Sequence, residues 1–241
     1  MKERTLRILA ALVDDFTKSA APVASQKLLK SGQFKVSSAT VRNEFSLLES
    51  VGLIQSPHTS AGKVPTQKGY RFFVDELLDR GFQDLSADRK LISNVFQKHV
   101  QAYRSAKTKE SLFDSLRLAA QLSGNIGFCM LDHNRGFFLG LSNVLRAPEF
   151  AQNPEKAAEI VEILEGREAF SQFLNELNLP YNQVEIFIGE ENLLEAVSSC
   201  GMVVSRFQTE FDSGYIGLLG PIRMRYGFNR ELIRNLLQMI R

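Results

Sequence analysis

An α+β fold in two parts is predicted by three observations. Apolar residues recur at helical spacing through much of the chain, as at Leu6, Leu9, Val13 and Phe16. Strand-length apolar runs, such as 126–131 and 215–222, alternate with helical stretches in the second half. Charge divides as well. Residues 1–73 hold eleven Lys/Arg against five Asp/Glu, a net +6, which leaves eighteen basic and twenty-two acidic residues, a net −4, for the rest. The whole chain of 241 residues is therefore only +2. That total excludes a polyanion binder working by bulk charge alone, yet allows a local basic surface. With 44% apolar and 23% charged residues, wholesale disorder is excluded too.

The head reads as short helices. The spacing of Leu6, Leu9, Val13 and Phe16 marks one buried face of a first helix. Pro22 is expected to start a second helix containing Leu28 and Leu29 and stopping at Gly32. Ser37 or Ser38 caps a third helix that runs to about Val51 and ends at Gly52. Leu53-Ile54 and Lys63-Val64-Pro65 then flank a polar loop, which predicts a hairpin. Thr66 caps a further helix with Tyr70, Phe73, Val74, Leu77 and Leu78 on one face, broken by Gly81.

Ser86 starts a long amphipathic helix through Leu91, Ile92, Val95, Phe96, His99 and Tyr103. Residues 104–110 are polar and read as a linker or a helix break. The body that follows alternates. A helix is expected at 111–122, strands at 126–131 and 137–144, and helices at 154–164 and 168–177. Further strands are expected at 184–188, 202–207 and 215–219. A last helix from about Asn229 carries Leu232, Ile233, Leu236, Leu237 and Ile240. The expected domains are 1–80, a helical linker or dimer contact at 81–110, and 111–241.

Three short helices and a hairpin describe a winged helix-turn-helix, whose third helix enters the DNA major groove. On a helical wheel Val41, Phe45, Leu47, Leu48 and Val51 fall in one arc, and Ala39, Arg42, Asn43 and Ser46 lie opposite. Arg donates two hydrogen bonds to guanine, Asn pairs with adenine, and Ala or Ser allows close approach. Ser37, Ser38 and Thr40 offer hydroxyls and helix-start amides to phosphate. His58, Thr59, Ser60 and Lys63 lie on the loop expected to follow the DNA backbone or enter the minor groove. Lys68 and Arg71 begin the next helix and are expected near phosphates.

Here the residues resemble a known family. The stretches SSATVRNEFSLLESVGLIQSPHTSAGKVPTQKGYRFFVDELL and APVASQKLLKS are similar to the HrcA-type heat-inducible transcription repressors of bacteria. So are IGEEN, SGYIGLLGPIRMRY and LSNVLRAPEF. The resemblance implies a winged-helix head and a GAF-like α+β body. It implies a homodimer on an inverted-repeat operator in double-stranded DNA, the CIRCE element, ahead of chaperone genes, with the GroE chaperonin as modulator. Family members are longer, with an inserted dimerising domain before the APEF stretch. Here Leu122 is followed almost at once by IGFCMLDHNRGFFLGLSNVLRAPEF, so the GAF-like body is read as reduced. The long helix 86–103 is then a candidate dimer contact, or else its apolar face packs inside the monomer.

Other signals carry less. Ser60-Ala61-Gly62-Lys63 lacks the first Gly and the Ser/Thr of a phosphate-binding loop. His58, His99 and His133 are far apart, without acids or cysteines at metal spacing, so neither metal nor cofactor is expected. Cys129 and Cys200 are expected in the core, with Cys200 the better candidate for reactivity. Two cysteines exclude a disulfide scaffold and suit a reducing cytoplasm. Glu190, Glu191 and Asn192 read as solvated or capping residues. Gly214, Gly217 and Gly220 read as structural, and with Arg223 and Arg225 they are also candidates for a ligand or partner surface. No apolar run reaches the ~18 residues that span a bilayer, and 8–13, closed by Asp14 and Asp15, does not read as a signal peptide. No catalytic constellation is apparent, so the expectation is not an enzyme. The competing reading is a winged-helix regulator controlled by a small ligand in the body.

Overall fold

A computed structural model describes residues 1–30, 32–58, 62–106, 109–131, 135–209 and 212–240. Side chains are described for these residues except 98–106, 109–111 and Val144. The chain divides into two compact units, Met1–Asp84 and Leu85–Arg241.

The first unit holds α1 (Glu3–Ser19), α2 (Ser25–Lys30), α3 (Ser38–Ser50), β1 (Ile54–Gln55), β2 (Val64–Pro65) and α4 (Gln67–Phe72). A π-helical turn, Phe73–Leu78, continues α4. Its core is apolar and drawn from every helix: Ile8, Leu9 and Leu12 of α1, Leu28 of α2, Val41 and Leu48 of α3, and Tyr70, Phe73 and Leu77 beyond the hairpin. Phe16, expected on the buried face of α1, is half-buried. The second helix starts later than Pro22 because the chain first serves the wing. Val23 forms an antiparallel bridge with Lys63, each amide donating to the other's carbonyl at 2.8 and 2.9 Å. Only after this bridge does the backbone enter α2. The hairpin pairs Ile54 with Pro65 and Gln55 with Val64.

Two close approaches hold the hairpin in place. A Cβ on Gly62 would lie 2.5 Å from the Val23 carbonyl carbon, and one on Gly69 would lie 1.9 Å from the Leu53 carbonyl oxygen. Both neighbours are backbone, which cannot step aside as a side chain does, so a larger residue overpacks the site.

The second unit opens with α5 (Ser86–Ala106) and α6 (Lys109–Ser123). Strand β3 (Ile126–Leu131) and β4 (Arg135–Leu139) follow, then α7 (Leu141–Arg146), α8 (Pro148–Ala151), α9 (Pro154–Glu165) and α10 (Arg167–Glu176). Next come β5 (Val184–Ile188), two short 3₁₀ turns, β6 (Cys200–Gln208), β7 (Ser213–Pro221) and α11 (Tyr226–Ile240). The five strands form one antiparallel sheet in the order β4-β3-β7-β6-β5. Its central strands are buried on both faces, so they read as continuous apolar runs rather than alternating ones. One face packs Phe128, Met202 and Val204 against Ile160, Leu164, Phe170 and Phe173, with Phe128 and Phe170 edge to face at 5.2 Å. The other faces α6 and α11: the α-carbon of Gly127 lies beneath Leu116 and Ala120, and that of Gly201 beneath Tyr226 and Met224. The mixture of helices and sheet is the expected α+β class.

The expected strand 137–144 is shorter. Gly140 takes φ +78° and the Asn143 amide donates to its carbonyl at 2.8 Å, so the chain turns into α7. Apolar Leu141 and Val144 do not distinguish a strand from one helical turn. In α5, Ile92 and Phe96 are buried, and the helix packs on α11 and α6 within its own unit. Of the two readings of its apolar face, internal packing accounts for these residues. Asp88 on α5 accepts two bonds from Arg225, at 2.8 and 2.9 Å, and the Arg225 guanidinium lies 4.2 Å over Phe228. Arg223 pairs with Glu149. Both arginines expected on a ligand surface therefore hold the unit together. Gly217 and Gly220 are structural: a Cβ there would lie 2.4 Å from Phe128 and 2.0 Å from Asn125 respectively.

Candidate nucleic-acid interface

The third helix begins at a strong cap. Ser37 sits extended before the first turn, and its hydroxyl accepts a 3.1 Å bond from the Thr40 amide. The Ser37 and Thr40 hydroxyls are 2.9 Å apart, and those of Ser38 and Ser25 3.4 Å. These contacts fix the start of the helix against α2. Val41, Phe45 and Leu48 are buried, while Ala39, Arg42, Asn43 and Ser46 are exposed on one strip, as the wheel predicts. Among the described residues the Arg42 guanidinium has no protein partner, so its donors remain available.

Two apolar assignments are corrected. Leu47 and Val51, placed in the buried arc, are 44% and 39% exposed. Leu47 lies at the edge of the arc. Val51 is the C-cap, where the chain leaves the helix and the wheel no longer applies. Leu47 thus adds an apolar surface beside Asn43 and Ser46.

The wheel also gave no account of Glu44, one turn from both Val41 and Leu48 and buried with them. Thr5 donates to its Oε2 at 2.7 Å, and Arg4 donates to its Oε1 through Nε at 2.8 Å and Nη2 at 2.5 Å. The Thr5 hydroxyl foremost, then Arg4, lowers the carboxyl's pKa against the opposing effect of burial. An acid at a core position of the wheel was the signal available for finding it.

The wing cations have internal partners. Lys63, expected on phosphate, places its ammonium 2.6 Å from Glu49 on α3 and 2.7 Å from the Ser56 hydroxyl. That pairing foremost holds the Glu49 carboxyl below its ordinary value. Lys68 donates to the Val51 carbonyl at 2.9 Å, closing the end of α3, and Arg71 pairs with Asp75 at 2.9 Å. His58 is exposed next to this hairpin. Thr59 and Ser60 lie outside the described residues, as does His133. The side chain of His99 is also outside them.

The remaining candidates in the second unit prove structural. Cys129 and Cys200 are fully buried, and burial raises both thiols, Cys200 to about 12. Glu191 caps its own turn by accepting from the Ile188 amide at 2.8 Å. The buried Asn192 side chain donates to the carbonyls of Gly189, Val197 and Cys200.

Comparison with known proteins agrees with this geometry. Residues 2–77 match the model of the winged helix-turn-helix transcription repressor, HrcA DNA-binding, and residues 70–228 match that of the HrcA protein C terminal domain. A heat-inducible transcription repressor HrcA from Ruminiclostridium cellulolyticum is 23% identical, covering 94% of this chain and 92% of the relative. The HrcA of Natranaerobius thermophilus is 51% identical over 77 residues, 32% of this chain and 22% of the relative. The first alignment spans 322 positions, more than this chain has residues, so that relative carries internal residues without counterpart here. A solved structure, described only as a hypothetical protein, shares the fold with a TM-score of 0.78 at 19% identity, covering 100% of this chain and 97% of the other. Among the described residues no helix is long and apolar enough to cross a membrane. With both of its units matched by the family's own models, the chain belongs to the HrcA family of winged helix-turn-helix transcription repressors.

Proposed function

We propose that the protein represses heat-shock genes by binding double-stranded DNA through α3. The carrying observation is the exposed strip of Ala39, Arg42, Asn43 and Ser46, whose guanidinium has no partner among the described residues. Arg42 reads guanine, Asn43 reads adenine, and the two small residues allow the helix into the groove. Ser37, Ser38 and Thr40 face the phosphates at the helix start. His58, Thr59 and Ser60 follow the backbone from the wing. Lys63, Lys68 and Arg71 set the wing and α4 at the edge of the same footprint.

In this reading the protein works in the cytoplasm, as a homodimer on a CIRCE-type inverted repeat, and is not an enzyme. Its body is a reduced GAF-like regulatory domain, and the GroE chaperonin modulates the DNA-binding state. Resemblance and family membership support these points. The relatives' names refer to heat induction, which favours heat over a small ligand as the signal. Selection of bound sequences from random duplex DNA tests the proposal. A two-fold symmetric consensus is expected, since a two-fold dimer presents two α3 helices to two half-sites. No enrichment would sink the DNA reading, and an asymmetric consensus would sink the dimer. An operator affinity indifferent to chaperonin would remove GroE.

A further inference from the structure

Where the net charge of the head acts can be traced residue by residue. All five acids among residues 1–73 are paired within the head: Glu3 with Arg7, Asp14 with Lys18, Asp15 with Lys27, Glu44 with Arg4 and Glu49 with Lys63. The net +6 therefore resides on Lys2, Lys30, Lys35, Arg42, Lys68 and Arg71. Of these, Arg71 is offset by Asp75, and Lys68 is bonded to the Val51 carbonyl. Among the described residues Lys30, Lys35 and Arg42 have no protein partner, whereas Lys2 contributes to the field at Glu44.

These three lie close together in the chain, around the turn between α2 and α3. Lys30 is the last residue of α2, Lys35 lies two residues before the Ser37 cap, and Arg42 is about one turn into α3. Both lysines are exposed. The turn between α2 and α3 leads directly into the N-terminus of α3, which carries its own positive potential. The two helices are fixed together, the Ser25 and Ser38 hydroxyls lying 3.4 Å apart, so this turn moves with the reading strip. A cation without a partner gains the full attraction of a phosphate, whereas a paired one must first give up its carboxylate.

We infer that Lys30 and Lys35 form the principal phosphate grip of the head, clamping the DNA backbone beside the groove that Arg42 reads. This inference rests on the DNA-binding reading above and specifies which cations set its salt dependence. They orient α3 through the backbone while Arg42 and Asn43 read base edges, so their contribution is the same on any sequence.

The test is the salt dependence of duplex binding by the full chain, measured by fluorescence anisotropy. The probes are a duplex recovered by selection and a shuffled duplex of the same composition. Each phosphate contact contributes about 0.9 to the slope of log affinity against log salt. The double variant Lys30→Gln/Lys35→Gln is expected to lose about 1.8 of that slope on both duplexes. The variant Arg7→Gln/Lys18→Gln removes the same net charge from α1, and its slope is expected to stay that of the parent. Thermal melts check that each variant is folded. An unchanged slope in Lys30→Gln/Lys35→Gln, with the parent binding in a salt-dependent way, overturns the inference alone. Equal loss in both variants replaces a local grip with overall charge and overturns it too. A parent that binds neither duplex overturns the DNA-binding reading itself.

Discussion

The Thr5 hydroxyl donates a 2.7 Å hydrogen bond to Oε2 of Glu44, joining the first turn of α1 to the buried side of α3. Arg4 occupies the other carboxylate oxygen. Helix α3 is thus held from behind by a buried carboxylate. Burying a carboxylate is costly unless its oxygens are occupied, and here both are.

Stability should depend on pH through this carboxylate. Its folded pKa is depressed below the ordinary 4.5, so its contribution is fully present above that value and lost as pH falls through the folded pKa. Glu44→Gln should lose stability at neutral pH and show a smaller decline on acidification than the parent. Glu44→Ala should cost about 1.5–3 kcal/mol, in the range for hydrogen bonds to charged groups, because Arg4 is partly solvated and needs no other partner. Denaturant melts at neutral and acidic pH measure both. Parallel pH profiles for parent and Glu44→Gln would show that folding does not lower the carboxyl's pKa.

Arg42→Ala should weaken binding to the selected duplex by about 1–3 kcal/mol and relax the base preference at one position. The removed guanidinium is exposed and has no partner among the described residues, so melting temperature should barely move. Binding to duplexes substituted at each position separates the two roles. Equal weakening on every sequence would make Arg42 a phosphate contact.

Gly62→Ala should disturb the wing at its base. The added methyl would lie 2.5 Å from the Val23 carbonyl carbon and 2.6 Å from its oxygen, which forces the Val23–Lys63 bridge apart. Overpacking of this kind costs about 1–3 kcal/mol. Thermal unfolding should register that loss and DNA affinity should fall with it. A variant as stable as the parent would mean that the wing strand and Val23 do not approach as described.

Both thiols should be inert in the folded protein. Burial removes access, and the thiolate, the reactive species, is scarce when a thiol is pushed up to about 12, as at Cys200. A thiol-labelling reagent at mildly alkaline pH should modify neither cysteine in buffer and both in denaturant. Rapid labelling of one thiol in buffer would place it near the surface.

Much of the head was legible because its signals are local. Caps at Ser37 and Thr66, a stop at Gly52 and a wheel with an apolar arc depend on neighbours within one or two turns. The exposed strip of Arg42, Asn43 and Ser46 followed from the same periodicity. The wheel failed where a helix edge or end was involved, as at Leu47 and Val51. It also left Glu44 unexplained, because the groups that satisfy it come from α1. In the body, strands 126–131 and 184–188 were found to the residue, since they are buried apolar runs of strand length. The turn of 137–144 into a helix at Gly140 depends on one backbone conformation that apolar composition does not encode.

The sequence by itself determined a winged-helix head, an α+β body, the family to which both belong and the residues that reach outward from α3. These follow from periodicity, capping and motif, which act over short range. Only the tertiary structure decided which cations are available. Lys63 and Lys30 are alike in sequence, a basic residue beside a turn, but folding brings Glu49 and Ser56 to one and no partner among the described residues to the other. A charge counts toward a partner's field only when no internal counter-charge meets it, and that pairing is made between residues far apart in the chain.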